Sequence, residues 1–241
     1  MISISRDAKM WAVEQLALKA AACRANVLLQ GESGVGKAFI ARRIHQASAA
    51  AGRGFFTLFC LPGNDSMPGS VSPGRNLAEI CYRYGTVHLR GIDLLDRVGQ
   101  RDLLAYLDLR DRQTETGCGN HDVSRLIFSS QRDLKAETER GEYLRQLYLR
   151  VSVITIEVPP LRQRGSDIVN LAHHFLHLYA LKECKTIRGL SPDAARFLRH
   201  LSWEGNIHEL KNAMNQAVVM ADDGAILNAG ILRDVVAHTR G

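Results

Sequence analysis

An apolar run, Asn26-Val27-Leu28-Leu29, leads into Gln30-Gly31-Glu32-Ser33-Gly34-Val35-Gly36-Lys37, and Ala38 to His45 follow with helical spacing. Strand, glycine-rich turn and helix in that order is the setting that a phosphate-binding loop requires. Gly31, Gly34 and Gly36 permit the tight turn that presents backbone N–H groups to phosphate oxygens. Lys37 supplies a point charge for the outer phosphates, and the N-terminus of the helix adds its dipole. Ala38 stands where the general pattern has a Ser or Thr hydroxyl for a metal ion. Catalysis and binding alone are both open to such a loop.

The rest of the chain predicts the layers around that loop. Residues 7–24 have one apolar side (Trp11, Val13, Leu16, Leu18, Ala20 to Ala22) and predict a helix. Strands are expected at Phe55–Cys60, Tyr84–Leu89, Arg125–Ser130 and Val151–Val158, with helical leucine spacing over Leu94–Leu109. Residues 61–76 concentrate proline and glycine and read as a mobile loop; Leu77–Tyr82 reads as a short helical turn, and Thr114–Asn120 as a polar loop. Alternation of strands and helices predicts an α/β fold with a parallel sheet covered on both faces. From Ser166 the pattern turns helical (167–182, 192–201 with Ser191 as N-cap, 207–220), so a small all-helical domain is expected after the sheet. The expected division is 1–165 and 166–241.

Length and composition fit this plan. The 241 residues suffice for one domain plus a small second one, and 46% hydrophobic with 23% charged residues is ordinary for a soluble globular chain. No apolar run is long enough to cross a bilayer, and no charged-then-apolar leader opens the chain. The five cysteines are scattered, without a C-x-x-C pair, which points to reduced thiols in the cytoplasm and away from zinc or a disulfide framework. His173, His174 and His177 crowd one stretch without an acidic partner and read as a solvated helix face, so no metal ligands are assigned. The net charge of +6 suits an anionic partner, a nucleotide or DNA, but no dense basic run marks a dedicated DNA surface.

Four segments together resemble one family. They are Gly31 to Lys37, Ser129-Ser130-Gln131-Arg132-Asp133-Leu134, Val158-Pro159-Pro160-Leu161-Arg162-Gln163-Arg164 with Asp167-Ile168, and Trp203-Glu204-Gly205-Asn206-Ile207-His208-Glu209-Leu210-Lys211-Asn212. In this order, from end to end, they resemble the AAA+ ATPase module of bacterial enhancer-binding proteins, the activators that remodel sigma-54 RNA polymerase. The resemblance implies an AAA+ P-loop fold with a helical lid, ATP or ADP as ligand, and self-association into rings. It also implies RNA polymerase as a partner. DNA binding is expected from a helix-turn-helix outside this chain, since family members place one after the lid and Gly241 precedes it.

Measured against that family, the chain departs at the hydrolytic positions. The strand ending Val87-His88-Leu89 would carry an Asp-Glu pair, the Walker B carboxylates for magnesium and for the attacking water; here the positions hold Arg90 and Gly91. Asp93 is close by but reads as a helix-start residue. Between Cys60 and Tyr84 there is no Gly-Ala-Phe-Thr-Gly-Ala segment for sigma-54. The first arginine finger position is Leu144, with Arg145 displaced by one, and the second matches Arg150. The lid arginine corresponds to His208, and Gln131 stands for the family's Asn. The family places Glu at Ala38, a mild change.

The expected nucleotide contacts are therefore Gly31, Glu32, Ser33, Gly34, Val35, Gly36, Lys37, Ala38, Arg90, Gln131 and His208. Arg150 and Arg145 are candidates to act across a subunit interface, magnesium stays an open question, and no residue is assigned a catalytic role. Arg162 and Arg164 are read either as phosphate contacts or as caps at the domain boundary, and Trp203 as a packing anchor. The leading expectation is a nucleotide-binding regulatory domain defective in hydrolysis and independent of sigma-54. A cyclic-dinucleotide sensor on the same fold and a weak ATPase that still remodels RNA polymerase are the alternatives.

Overall fold

A computed structural model of the protein describes residues 7–60, 73–115 and 124–240. Residues 61–72 of the expected mobile loop and 116–120 of the expected polar loop lie outside the described residues.

In chain order the elements are α1 (Ala8–Ala21), β1 (Val27–Gln30), α2 (Lys37–Gln46), β2 (Phe55–Phe59), α3 (Pro73–Arg83) and β3 (Thr86–Arg90). A 3-10 turn (Ile92–Leu94) leads to α4 (Arg97–Glu115), β4 (Arg125–Ser130), α5 (Leu134–Glu139), α6 (Arg145–Val151) and β5 (Ile154–Glu157). After a second 3-10 turn (Leu161–Gln163) come α7 (Gly165–Lys182), β6 (Gly189–Leu190), α8 (Pro192–His200), α9 (Asn206–Met220), β7 (Ile226–Leu227) and α10 (Ala229–Arg240).

The chain forms two compact units: Val13–Gly31 with Gly36–Val158, and Met1–Ala12 with Glu32–Val35 and Pro159–Gly241. The first is built on a five-stranded parallel sheet in the order β2-β3-β4-β1-β5. Parallel strands need helical crossovers on both faces, which explains why β1 and β4 read as continuous apolar runs rather than alternating ones. Leu28, Leu58, Val87, Leu89, Leu103, Leu107, Leu126 and Phe128 are fully or almost fully buried in its core. Register sets the ends of the strands level: Phe59 pairs with Arg90, Arg90 with Ser129, and Leu29 with Ser129. Phe59, Arg90 and Ser129 therefore lie in one row with Leu29, two residues before Gly31.

The second unit packs its helices around Trp203, with Leu176, Leu198, Leu210, Met214 and Leu232 fully buried beside it. Ser191 caps α8 through its hydroxyl, which accepts from the Ala194 N–H, and Pro192 follows at the first helical position.

Several elements differ from the sequence-based expectation. The helix expected at 77–82 begins at Pro73, because proline suits the first turn, where its missing N–H would be unpaired anyway. The strand expected over 151–158 keeps only Ile154–Glu157, and Val151 closes α6 instead. Short helices α5 and α6, and the long α10, fall on segments with no expected helix. The helical unit is not all-helical: β6 and β7 pair in parallel, Gly189 with Ile226 and Leu190 with Leu227.

Phe128, in the middle of a buried central strand, is fully enclosed. Phe128→Ala is expected to destabilise the sheet unit by about 3–5 kcal/mol through lost burial and a residual cavity. Urea denaturation followed by circular dichroism measures this, and a loss below about 1 kcal/mol would mean the site collapses around the deletion.

Candidate functional site

β1 ends at Gln30, and the chain turns through Gly31 (φ 143°) and Gly36 (φ 104°), which forms the N-cap of α2. Both lie in the left-handed range, where a Cβ would be strained. Lys37 opens α2, and its ammonium donates to the Gly31 carbonyl at 2.5 Å. The lysine thus bridges the two ends of the loop at the head of a ten-residue helix. Ala38 follows it and offers no hydroxyl.

The loop tip, Glu32 to Val35, belongs to the helical unit and is held there by an array of side-chain bonds. Asn206 is fully buried with a left-handed backbone (φ 54°), a conformation Asn tolerates better than most residues. Its amide nitrogen donates to the Ser33 carbonyl at 2.9 Å and to Glu32 Oε2 at 3.0 Å, while its Oδ1 accepts from the Leu161 N–H at 2.8 Å. Arg162 makes a two-pronged pair with the Glu32 carboxylate at 2.5 and 2.8 Å. Buried Arg164 donates to the carbonyls of Val35 and Pro159, both at 2.8 Å. At Gly34 the approach is so close that an added Cβ would lie 2.3 Å from the Gly205 carbonyl oxygen and 3.3 Å from the His208 ring. His208 is exposed beside the tip, in the first turn of α9. Of the two readings open for Arg162 and Arg164, the one without a phosphate fits these contacts: both grip the protein's own loop.

On the α2 face of the sheet, β3 presents Thr86, His88 and Arg90, alternate residues along the strand. Thr86 Oγ1 lies 2.9 Å from His45 Nδ1 on α2, and His88 Nε2 lies 3.1 Å from Ser129 Oγ. His88 is fully buried, and among the described residues its Nδ1 has no hydrogen-bond partner. Burial, with Arg90, Lys37 and Arg42 nearby, holds its pKa down to about 3, so the ring is neutral and one of its nitrogens carries no proton. The Arg90 guanidinium stacks over the Phe59 ring at 4.8 Å, and Arg42 over Phe55 at 4.9 Å.

Gly91 turns the chain with φ 75° and donates its N–H to the Ser129 carbonyl. Asp93 Oδ1 accepts the Gln131 N–H at 3.2 Å, a bond to the residue after β4 rather than the helix-start contact expected of it. Burial and then the charge of Asp93 push the Cys60 thiol up to about 12. Gln131 itself is exposed.

Residues 4–161 match the model of the sigma-54 interaction domain, and residues 162–240 match that of the AAA+ ATPase lid domain. The chain belongs to the sigma-54 interaction domain family. It is 38% identical over 209 residues to the transcriptional regulatory protein ZraR of Escherichia coli K12, covering 81% of this chain and 47% of ZraR. It is 33% identical over 236 residues to the nitrogen fixation protein AnfA of Azotobacter vinelandii, covering 92% of this chain and 44% of AnfA. The chain thus spans less than half the length of these relatives. Among solved structures, NtrX of Brucella abortus in complex with ATP has the same fold, with a TM-score of 0.79 at 23% identity over 99% of this chain and 56% of that one. The chain is accordingly an AAA+ regulatory domain of the type found in bacterial transcriptional regulators.

Within this sigma-54 interaction domain, Arg150 is engaged inside its own chain. It pairs with Asp108 at 2.5 Å and with Asp111, both on α4, while its carbonyl accepts from the Asn26 side chain. It lines a cleft of about 890 Å³ with Asn26, Gly85 and Val153, at the start of the strands and so opposite the end that carries Gly31. Arg145 is exposed at the start of α6. Among the described residues no group of three or more His, Cys, Asp or Glu side chains could hold a metal, His173, His174 and His177 included.

The sheet unit therefore collects Gly31, Gly36, Lys37, Ala38 and Arg90 at one end of the strands, and the helical unit collects Glu32 to Val35 with His208. Sequence reasoning gave no role to Asn206, His88 or Phe59. Asn206 left a signal: Asn, among the residues that best tolerate the left-handed backbone, stands directly after Gly205 at the head of a helix. His88 left one as well, as a polar residue between the apolar Val87 and Leu89 of a buried strand.

Asn206→Ala leaves the Leu161 N–H without its acceptor and releases Glu32 and Ser33. A loss of about 2–4 kcal/mol is expected, read from the denaturant midpoint of the helical unit; a change under about 0.5 kcal/mol would show the clasp to be dispensable. For His88 the folded pKa lies below its ordinary value of 6.5, so between about 6.5 and 3 the unfolded chain takes up a proton that the folded one refuses. Stability is thus full above that window and falls as the pH falls. His88→Phe is expected to flatten the decline between about pH 7 and pH 5, above the carboxylate range; parallel curves for the two proteins would rule this origin out.

Proposed function

We propose that this chain is a nucleotide-binding AAA+ regulatory domain that does not turn ATP over and acts without contacting sigma-54. The observation that carries it is Arg90 at the end of β3, followed by Gly91, level with Ser129 and close to the glycine loop. A guanidinium cannot hold magnesium, and neither it nor Gly91 can take a proton from an attacking water. Asp93, the next carboxylate along, accepts the Gln131 N–H instead. Arg150 is paired within the chain to two α4 aspartates, which opposes its use on a neighbour's nucleotide.

Binding, in contrast, draws on parts that are present: the left-handed glycines, Lys37 and the N-terminus of α2. The NtrX structures, which share this fold, were solved with ATP and with ADP. Residues 1–165 form the nucleotide-binding subdomain in this reading and 166–241 the lid, with Gln131 and His208 as polar neighbours of the nucleotide. The chain lacks a Gly-Ala-Phe-Thr-Gly-Ala segment, which favours independence from sigma-54. Self-association, contact with RNA polymerase and DNA binding through another segment complete the proposal for the regulator that carries this domain.

A phosphate-release assay tests the core of it. No release from ATP above the protein-free blank is expected for the wild type, and Lys37→Ala should change nothing in that assay. Turnover that Lys37→Ala abolishes would overturn the proposal in favour of a weak ATPase.

A further inference from the structure

The donor set around the loop does not suit a divalent cation. Magnesium is held at phosphate sites by hard oxygen ligands, typically a loop hydroxyl, one or two carboxylates and several waters. Here Ala38 has no hydroxyl, Arg90 and Gly91 have no carboxylate, and Asp93 accepts the Gln131 N–H. What the same end of the sheet does hold is positive charge. The charges of Lys37, Arg42 and Arg90 all act on one buried, neutral imidazole, and among the described residues no ion pair involves Arg90.

The geometry suits an anion. Arg90, Ser129 and Leu29 share one row across β3, β4 and β1, so Arg90 stands two strand spacings, roughly 10 Å, from the strand that feeds Gly31. Its guanidinium carbon lies over the Phe59 ring, 4.8 Å from the centroid, and Phe59 is 46% exposed. Stacking uses the face of a guanidinium and leaves its in-plane N–H groups, the fork that matches phosphate oxygens, pointing outward. The half-exposed ring holds the side chain in a defined pose without locking it. Arg42, stacked on Phe55 in the same way, adds a second cation along the same face of β2.

We propose that the loop binds the phosphates of a nucleoside di- or triphosphate without a divalent cation, Arg90 supplying the countercharge. This rests on the nucleotide-binding reading and goes beyond it in naming how the charge of the ligand is met.

Calorimetric titration of the full chain with ATP and with ADP, in magnesium and then in EDTA, tests it. The dissociation constants in the two buffers are expected to agree within about threefold. In EDTA, Arg90→Ala should weaken binding by about 10–100-fold, the loss of a charged hydrogen-bonded pair, and Arg90→Gln should do the same. Arg90→Asp should bind only with magnesium present. Circular dichroism identifies variants that fail to fold, and the wild-type comparison needs none of them. Wild-type binding that falls more than about tenfold on chelation, or folded Arg90 variants that titrate like the wild type, overturns this inference and leaves the nucleotide-binding reading standing. Absence of any titration in either buffer overturns that reading as well.

Discussion

The buried amide of Asn206 fixes the phosphate loop more firmly than any feature of the loop itself. One side chain, itself fully enclosed, accepts the Leu161 N–H and donates to Ser33 and Glu32. An unpaired buried polar group costs far more than a single hydrogen bond contributes, so this amide specifies one arrangement of its neighbours. Its position depends in turn on Trp203, fully buried, whose indole N–H donates to the Leu198 carbonyl and whose own carbonyl accepts the Asn206 N–H. Gly205 and Gly34 complete the chain of dependence, because a methyl group at Gly34 would collide with the Gly205 backbone. The Trp-x-Gly-Asn segment and the glycine loop are thus two halves of one packing problem within the helical unit.

At the end of the sheet the governing constraint is charge. Lys37, Arg42 and Arg90 converge on a region where His88 stays neutral, and the two arginines rest on aromatic faces. A protein tolerates such crowding where the charges keep access to water or to an anion, since burying unpaired cations is expensive. Phe59 and Phe55 serve this end by supplying weak, non-ionic partners. Carboxylates in the same place would quench the field; Asp93 instead accepts the Gln131 N–H.

Sheet and loop were legible because each rests on a local pattern. β4 has the expected bounds, and β1 with its loop follows from one apolar run and three glycines. Elements that depend on tertiary partners were not legible. The β6–β7 pair is two residues long on each side, too short for any periodicity. α5 is six residues and is capped by Asp133, whose carboxylate accepts from the Lys135 and Ala136 N–H groups; only that cap, easily read as a turn residue, announces it. At the site, sequence pattern identified which residues are unusual but not what they touch. Arg162 and Arg164 looked equally ready for phosphate or protein, and only distances to Glu32 and Val35 decide for protein. Arg150 matched a position that acts between subunits, and its pairing with Asp108 and Asp111, some forty residues away, has no local signature.

Binding and hydrolysis of a nucleotide make separable demands on such a fold, and this separation gives the proposed function its physical sense. Holding phosphates needs N–H groups, a helix terminus and cations, all of which the loop and the strand ends provide. Cleaving the γ-phosphate needs a positioned water and a group to accept its proton. On the proposed reading, a domain with the first set and without the second equilibrates with its ligand instead of consuming it. Its occupancy then follows nucleotide concentration, and the ligand shifts any two conformations only by its difference in affinity for them.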